Sequence, residues 1–526
     1  MRVAIISVFV DYHRRGEHHR GALQPQIGPL IAALLPDWCD VEIVNDTWDD
    51  PDWSKSYDLV FLSCMHSDFD RARQISHYYR RRGARTVLGG AMASTYTHLC
   101  QPYFDAVVIG EPEDTVARIA EDVRSNCLRP VYRSGGYQPG LVPTPDVAPV
   151  AAQQLFPLAV EATRGCPYTC DFCVLTALGN GHALRPVQSV VRDVRAAREA
   201  LRQAGVPDWK GRLVMFYDNN LAGNLKWFRE LCNALKPLDV RWGACLTFNV
   251  IANRELLKLM YDSGCRSVFV GLETFNPQTL ADIAKPQNNI AKIGEAIEQS
   301  LQEGILVIAG LLVSPVHDDE DYIRSLPAHL EHCGLHVPSF VSFETPFPGT
   351  PFFHRMAAGE PPKFLPNANL NDFNGYTLVL DPQRSPLDRF VSAYRETLQQ
   401  IYAPRHRLAK LAHDLPRLLR HRRSWTAALL DVGDMCTTGF YPAPGRTFVA
   451  GTDPAPPERV PFSRNDFDSE AQRVDLLSPT LVTDDSGRLL PGWRNSPQKV
   501  LAPGQARVKS AIAFNTAVPP EITRVS

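Results

Sequence analysis

Leu158-Ala-Val-Glu-Ala-Thr-Arg-Gly-Cys166-Pro-Tyr-Thr-Cys170-Asp-Phe-Cys173 is a short β-type run that ends in a loop carrying three cysteines. Three residues separate the first two cysteines and two separate the next pair. A loop with that spacing can wrap three corners of a cubic iron–sulfur cluster, and such a cluster ordinarily takes four thiolates. The next cysteines along the chain are Cys127 and Cys232, neither nearby. One iron is thus left open, and an open position distinguishes a reactive metal centre from a structural one. Cys166, Cys170 and Cys173 are the candidate metal ligands, against the plainer readings of buried cysteines or a zinc site. A triplet at this spacing arises by chance on the order of once in a hundred such chains.

The pattern around the loop sets the fold class. Strand-type runs continue at Arg212–Asp218, Arg241–Phe248, Ser267–Leu272, Leu306–Val313 and Phe340–Thr345, with helical periodicity between them. Six β/α units suit a partial (β/α)6 barrel over residues 158–350, with its working face at the carboxyl ends of the strands. Residues 1–125 alternate in the same way, with strands at Val3–Val10, Val41–Val44, Asp58–Ser63, Thr86–Gly90 and Ala106–Glu111. Strand and helix in alternation, with glycines at strand ends, imply a Rossmann-like, doubly wound parallel sheet that binds ligands at its carboxyl edge. Proline and glycine mark residues 126–157 as a linker. Residues 351–430 read as mostly helical, and 431–526 as a Pro-rich irregular extension. The whole is α/β.

Composition narrows the classes. At 526 residues the chain is long enough for several cores, and its net charge of −2 gives no reason to expect nucleic acid as a partner. Twelve cysteines without regular pairing point to the reducing cytoplasm. No apolar run reaches about 18 residues, so no transmembrane segment is expected. The basic, amphipathic stretch Arg405–Arg423 reads foremost as a solvated helix face, with binding to a membrane surface or a partner as the alternative.

Over roughly residues 1–425 this arrangement resembles the radical S-adenosylmethionine (SAM) enzymes that carry an N-terminal cobalamin-binding domain. Besides the cysteine loop, the similarity rests on Gly89-Gly90, Ile109-Gly-Glu-Pro-Glu-Asp-Thr115, Phe216-Tyr-Asp-Asn-Asn-Leu221, Val270-Gly-Leu-Glu-Thr-Phe-Asn-Pro277 and Pro346-Phe-Pro-Gly-Thr-Pro351. The resemblance implies a [4Fe–4S] cluster whose open iron is chelated by SAM. One electron from the cluster then yields a 5′-deoxyadenosyl radical that removes hydrogen from an unactivated carbon. It also implies roles for single residues. Phe172 would pack on the cluster or adenine, and Asp218, Asn219 and Asn220 would reach the ammonium of SAM. Glu273 would accept from the ribose hydroxyls, since a carboxylate serves a diol well. Thr163 and Arg164 would tie the loop down.

For cobalamin, the resemblance implies a site built from Ser63, Met65, Gly89, Gly90, Gly110 and Glu111. Asp11-Tyr-His13-Arg-Arg-Gly16 matches the corrinoid motif in which the histidine binds cobalt, with the aspartate behind it; a solvated or phosphate-contacting loop histidine is the alternative reading of His13. The function implied is a cobalamin-dependent methyltransferase acting on an sp3 carbon of a small molecule, with flavodoxin or ferredoxin as reductant. A radical cyclase, rearrangement or oxidation enzyme with cobalamin unused or absent is the alternative, and an iron–sulfur electron carrier is the reading from another class. The sequence identifies no catalytic acid or base.

Overall fold

The computed structural model describes residues 1–10, 18, 25–153, 158–179, 181–420, 425–437, 446–453 and 458–494. Its first sheet is formed by β1 (Arg2–Ser7), β2 (Asp40–Asn45), β3 (Leu59–Ser63), β4 (Arg85–Gly89), β5 (Ala106–Ile109) and β6 (Val131–Arg133). The strands are parallel, in the order β2-β1-β3-β4-β5-β6. Alternation along each strand feeds two cores. Val3, Ile5, Leu59, Phe61 and Val87 pack with Ile31 and Ile119 on one face. Ala4, Ile6, Val60, Leu62 and Leu88 pack with Phe69, Ile75 and Tyr79 on the other. Both faces are therefore covered, as a parallel sheet requires, and ligand space is confined to the carboxyl edge. The order reverses between β1 and β3, which places the crevice there.

The stretch 126–157, read as a linker, departs from that reading. Val131–Arg133 is the sixth strand of the first sheet, and Tyr132 is buried in its core. A three-residue strand between Pro130 and Gly135 is too short for its alternation to be read.

The second sheet comprises β7 (Leu158–Val160), β8 (Leu213–Phe216), β9 (Arg241–Leu246), β10 (Cys265–Glu273), β11 (Leu306–Val313) and β12 (Phe340–Phe343), parallel and in sequential order. Val214, Phe216, Trp242, Val268 and Val270 are buried. Met215, Cys245, Ser267, Phe269, Ile308 and Phe340 alternate with the buried residues and remain partly exposed on the concave side. That side stays roomy because glycines stand where side chains would collide: a Cβ on Gly310 would lie 2.5 Å from the Phe340 ring.

Helices Pro351–Ala357, Leu387–Ile401, Pro404–Leu418 and Trp425–Thr437 follow the barrel. Residues 458–494 then return across the first domain. Arg73 donates to the Asp475 carbonyl at 2.8 Å, Arg82 pairs with Asp466 at 2.8 Å, and the Thr480 amide donates to Asp70 at 3.0 Å. The basic helix Phe69–Arg80 is thus covered by chain some 400 residues away. The final segment is not merely irregular, since it contains helix Glu470–Leu477 and buries Trp493 against Tyr96. Among the described residues no helix is long and apolar enough to cross a membrane.

Candidate active site

The three cysteines leave the carboxyl end of β7 on one loop. Its entry is fixed by Asp218, just past β8, whose carboxylate accepts the Ala162 amide at 3.0 Å and the Thr163 amide. Asp218 is buried, and burial pushes its carboxyl up to about 7. Asn220, also buried, donates to Cys166 Sγ at 3.8 Å, whereas Asn219 is exposed. Thr176 Oγ1 donates to the Cys170 carbonyl at 2.9 Å. Within the loop Asp171 pairs with Arg355 at 2.6 Å, and its carbonyl accepts the Phe352 amide at 3.1 Å. Phe172 is partly buried and packs on the main core.

The loop is therefore held from outside, and its thiols are not in disulfides. Burial pushes Cys170 up to about 11 and raises Cys173 as well. These are thiols that metal coordination would deprotonate. Among the described residues no three His, Cys, Asp or Glu gather around a single ion. Three thiols spread along one half-buried loop fit a multi-iron cluster, in which each binds a different iron.

Glu273 ends β10 at a register shift, with φ of +68°. It is buried and paired with Lys285, whose ammonium also donates to the Gly271 carbonyl at 2.9 Å. Asn288 holds the same bulge through the Gly271 and Leu272 carbonyls at 3.0 and 2.9 Å. The carboxylate lies close enough to the cysteine loop that Glu273 and Lys285 both act on Cys170 electrostatically.

At the edge of the first sheet, Ser63 and Met65 follow β3, and Met65 is 44% exposed, as is Phe9 after β1 at 43%. These two apolar side chains flank the β1/β3 crevice. Gly89 ends β4. Gly90 has φ of +94°, and a Cβ there would lie 2.7 Å from the Cys64 carbonyl. Gly110 follows β5 and donates its amide to Ser94 Oγ at 3.1 Å. His13 lies outside the described residues.

The two carboxyl edges face each other. Arg164, on the cysteine loop, pairs with Glu111 at 2.6 Å and Glu113 at 2.8 Å from the first domain, and with Glu161 at 2.9 Å. Its guanidinium also lies 4.1 Å from the Tyr137 ring centroid. A Cβ on Gly349, beyond β12, would be 3.4 Å from Thr95 and 3.5 Å from Ala177, so three segments converge there.

Three residues at this face escaped the sequence reading. His66 is buried, bonded to Thr95 Oγ1 at 2.7 Å, and lowered to about 4 by burial. Tyr217 is 49% exposed at the end of β8. Glu344, just past β12, is buried and accepts from Ser314 Oγ at 2.5 Å. An acid directly after an apolar strand was the available signal for Glu344.

Residues 160–326 match the family model described as the Radical SAM superfamily. This stretch is a radical SAM domain, and the chain is an enzyme. More particularly, it is similar to bacteriochlorophyllide d C-12(1)-methyltransferase of Chlorobaculum tepidum, at 25% identity over 71% of this chain and 81% of that protein. It is also similar to the C-8(2)-methyltransferase of the same organism, at 27% identity over 62% of this chain and 74% of that one. The fold is shared with the radical SAM methyltransferase TsrM from Kitasatospora setae, solved with tryptophan substrate and aza-SAM. That match has a TM-score of 0.55 at 16% identity, over 77% of this chain and 90% of that one.

Proposed function

We propose that the chain is a cobalamin-dependent radical SAM methyltransferase acting on an unactivated carbon of a small molecule. The observation that carries this reading is the junction at Arg164, which ties the cysteine loop to the carboxyl edge of a doubly wound sheet. A cofactor in the β1/β3 crevice would face the cluster across that junction. The relatives named as methyltransferases support the same chemistry.

The donor set of Cys166, Cys170 and Cys173 fits the cluster, and the open edge at Met65, Gly89 and Gly90 fits a broad, flat ligand such as a corrin ring. When bound, the cluster and SAM supply the radical that abstracts hydrogen, and cobalamin supplies the methyl group. The chain's own residues orient these groups. Asn220 donates to the sulfur of Cys166, and Asp218 fixes the backbone that enters the loop. Glu273, held by Lys285, presents a carboxylate for the ribose hydroxyls, and Asn219 is free to meet the polar end of SAM. The apolar concave face, with Met215, Tyr217 and Phe269, excludes water around the substrate. Flavodoxin or ferredoxin in the cytoplasm would provide the electron.

The test is oxygen-free purification from cobalamin-supplied cells, followed by corrinoid, 5′-deoxyadenosine and S-adenosylhomocysteine measurements. Stoichiometric corrinoid, with both SAM products formed alongside a methylated compound, is the expected result. Formation of 5′-deoxyadenosine without corrinoid or S-adenosylhomocysteine, even after reconstitution, would overturn methyl transfer in favour of radical oxidation or cyclisation.

A further inference from the structure

A helix on a protein surface normally turns its apolar stripe inward and its charges to solvent. The hairpin of helices Pro404–Leu418 and Trp425–Thr437 does the reverse. In the first helix the exposed positions are Pro404, Arg405, Leu408, Ala409, Ala412 and Pro416, and the stripe continues through Leu419 and Arg420 just beyond. In the second they are Trp425, Leu429, Val432, Gly433 and Cys436. Leu408 is 66% exposed, Leu429 59%, Leu419 58% and Trp425 47%.

Three charged groups, Lys410, Asp414 and Asp431, lie inside. Lys410 is buried, donating to Asp414 at 2.6 Å and to Asp431 on the second helix. Asp414 also accepts from or pairs with His413 at 2.8 Å. This buried network joins the helices, and among the described residues their exposed positions carry no carboxylate. Among the described residues the charges at those exposed positions are the cations Arg405 and Arg420. The hairpin packs through His413 against Gly334 and His336, in the turn entering β12. It therefore sits at the amino ends of the barrel strands, away from the cysteine loop.

We propose that this hairpin is a docking surface for an anionic lipid bilayer. Exposed leucines and a tryptophan bordered by arginines match what an interfacial helix needs: apolar side chains to insert and cations for the headgroups. Charge argues against a second copy as the occupant. Antiparallel self-pairing of the first helix would bring Arg405 against Arg420 of the copy with no carboxylate between them. Docking here leaves the barrel mouth facing away from the bilayer, and the inference stands whether or not the enzyme transfers methyl groups.

The test uses the full chain with vesicles of mixed phosphatidylcholine and phosphatidylglycerol, and of phosphatidylcholine alone, in a flotation assay. Binding to the anionic vesicles that weakens with added salt is expected. Arg405→Glu and Arg420→Glu should each lower affinity about fivefold or more. The pair Leu408→Glu and Leu429→Glu should abolish flotation while circular dichroism and SAM cleavage stay unchanged. Trp425→Phe should reduce the fluorescence blue shift seen on adding vesicles. No flotation of the unaltered chain, or flotation untouched by the leucine substitutions, would overturn the proposal. So would a concentration-dependent dimer that the leucine substitutions dissolve, which would assign the stripe to a second copy.

Discussion

The two six-stranded parallel sheets differ in what they cover. Helices close both faces of the first, so its only ligand space is the carboxyl edge. The second curls, buries its convex side under helices and leaves Met215, Cys245 and Phe269 partly open on the concave side. They also hold their functional edges differently. The barrel uses side-chain bonds: Asp218 to the loop amides, Asn220 to Cys166, and Lys285 to Glu273. The first sheet uses close backbone approach, with Gly90 against Cys64. Side-chain anchorage suits a small cluster held at fixed distances, and a bare backbone edge suits a large flat ligand.

The sharpest break of this comparison is Cys170→Ala. It should eliminate SAM cleavage and the cluster's visible absorbance while leaving the fold intact, because the thiol makes no structural bond that the rest of the loop depends on. Retained 5′-deoxyadenosine formation would remove the barrel loop as the reactive centre.

Next in size is Arg164→Met, at the seam between the sheets. It leaves Glu111, Glu113 and Glu161 together without their cation, and loss of one partner of a buried ion cluster costs about 3–5 kcal/mol. Burial already raises the Glu111 carboxyl even with the guanidinium beside it. Chemical denaturation should show the loss, and Arg164→Lys should restore only part of it, because an ammonium cannot fork to three carboxylates. Stability of Arg164→Lys equal to that of the unaltered chain would mean that the seam needs charge alone.

How much of each region was legible follows from the same contrast. The cysteine loop announces itself because its ligands lie within eight residues, and the strands because alternation is local. Asp218 stood out as a polar residue at a strand end, but its use as a backbone strap depends on Ala162 and Thr163, which neighbour it only across the sheet. The cover over helix Phe69–Arg80 was beyond reach, since Arg73 finds its acceptors at Asp475 and Ser478. In the hairpin, which cation turns inward was equally out of reach, because Lys410 is buried by Asp431, a partner on another helix.

Gly90→Ala tests the bare edge. With φ of +94° and a Cβ 2.7 Å from the Cys64 carbonyl, alanine there adds a collision to backbone strain, together about 1–3 kcal/mol. Gly83→Ala is the control, with φ of +88° and nothing within 4 Å, so it carries the strain alone, about 1 kcal/mol. Corrinoid content should fall in the first and hold in the second. A matched fall would show that backbone strain and lost stability, not close approach at the edge, lower the corrinoid content.

The smallest effect sharpens the comparison through pH. Each region buries an acid near its functional edge: Glu344, pushed up to about 8, and Asp68, pushed up to about 7, each mainly by burial. Asp68 accepts the Val10 amide at 3.0 Å, and Glu344 accepts the Ser314 hydroxyl in a pocket shared electrostatically with Asp171, Asp282 and Asp318. In the unfolded chain both carboxyls ionise in the ordinary range. Between that range and the folded value the native state holds a proton that the unfolded state has released, so stability falls as pH rises. The fall approaches about 1.4 kcal/mol per pH unit for each group and stops once pH passes the folded value. Glu344→Gln keeps the acceptor for Ser314 and should remove its share of the slope up to about pH 8. Asp68→Asn should remove a share that ends nearer pH 7. Denaturation midpoints of the two variants and the unaltered chain, measured from mildly acidic to mildly basic pH, separate the contributions. If Glu344→Gln leaves the slope unchanged, the carboxyl is ionised in the fold and one of the barrel's cations has moved to meet it.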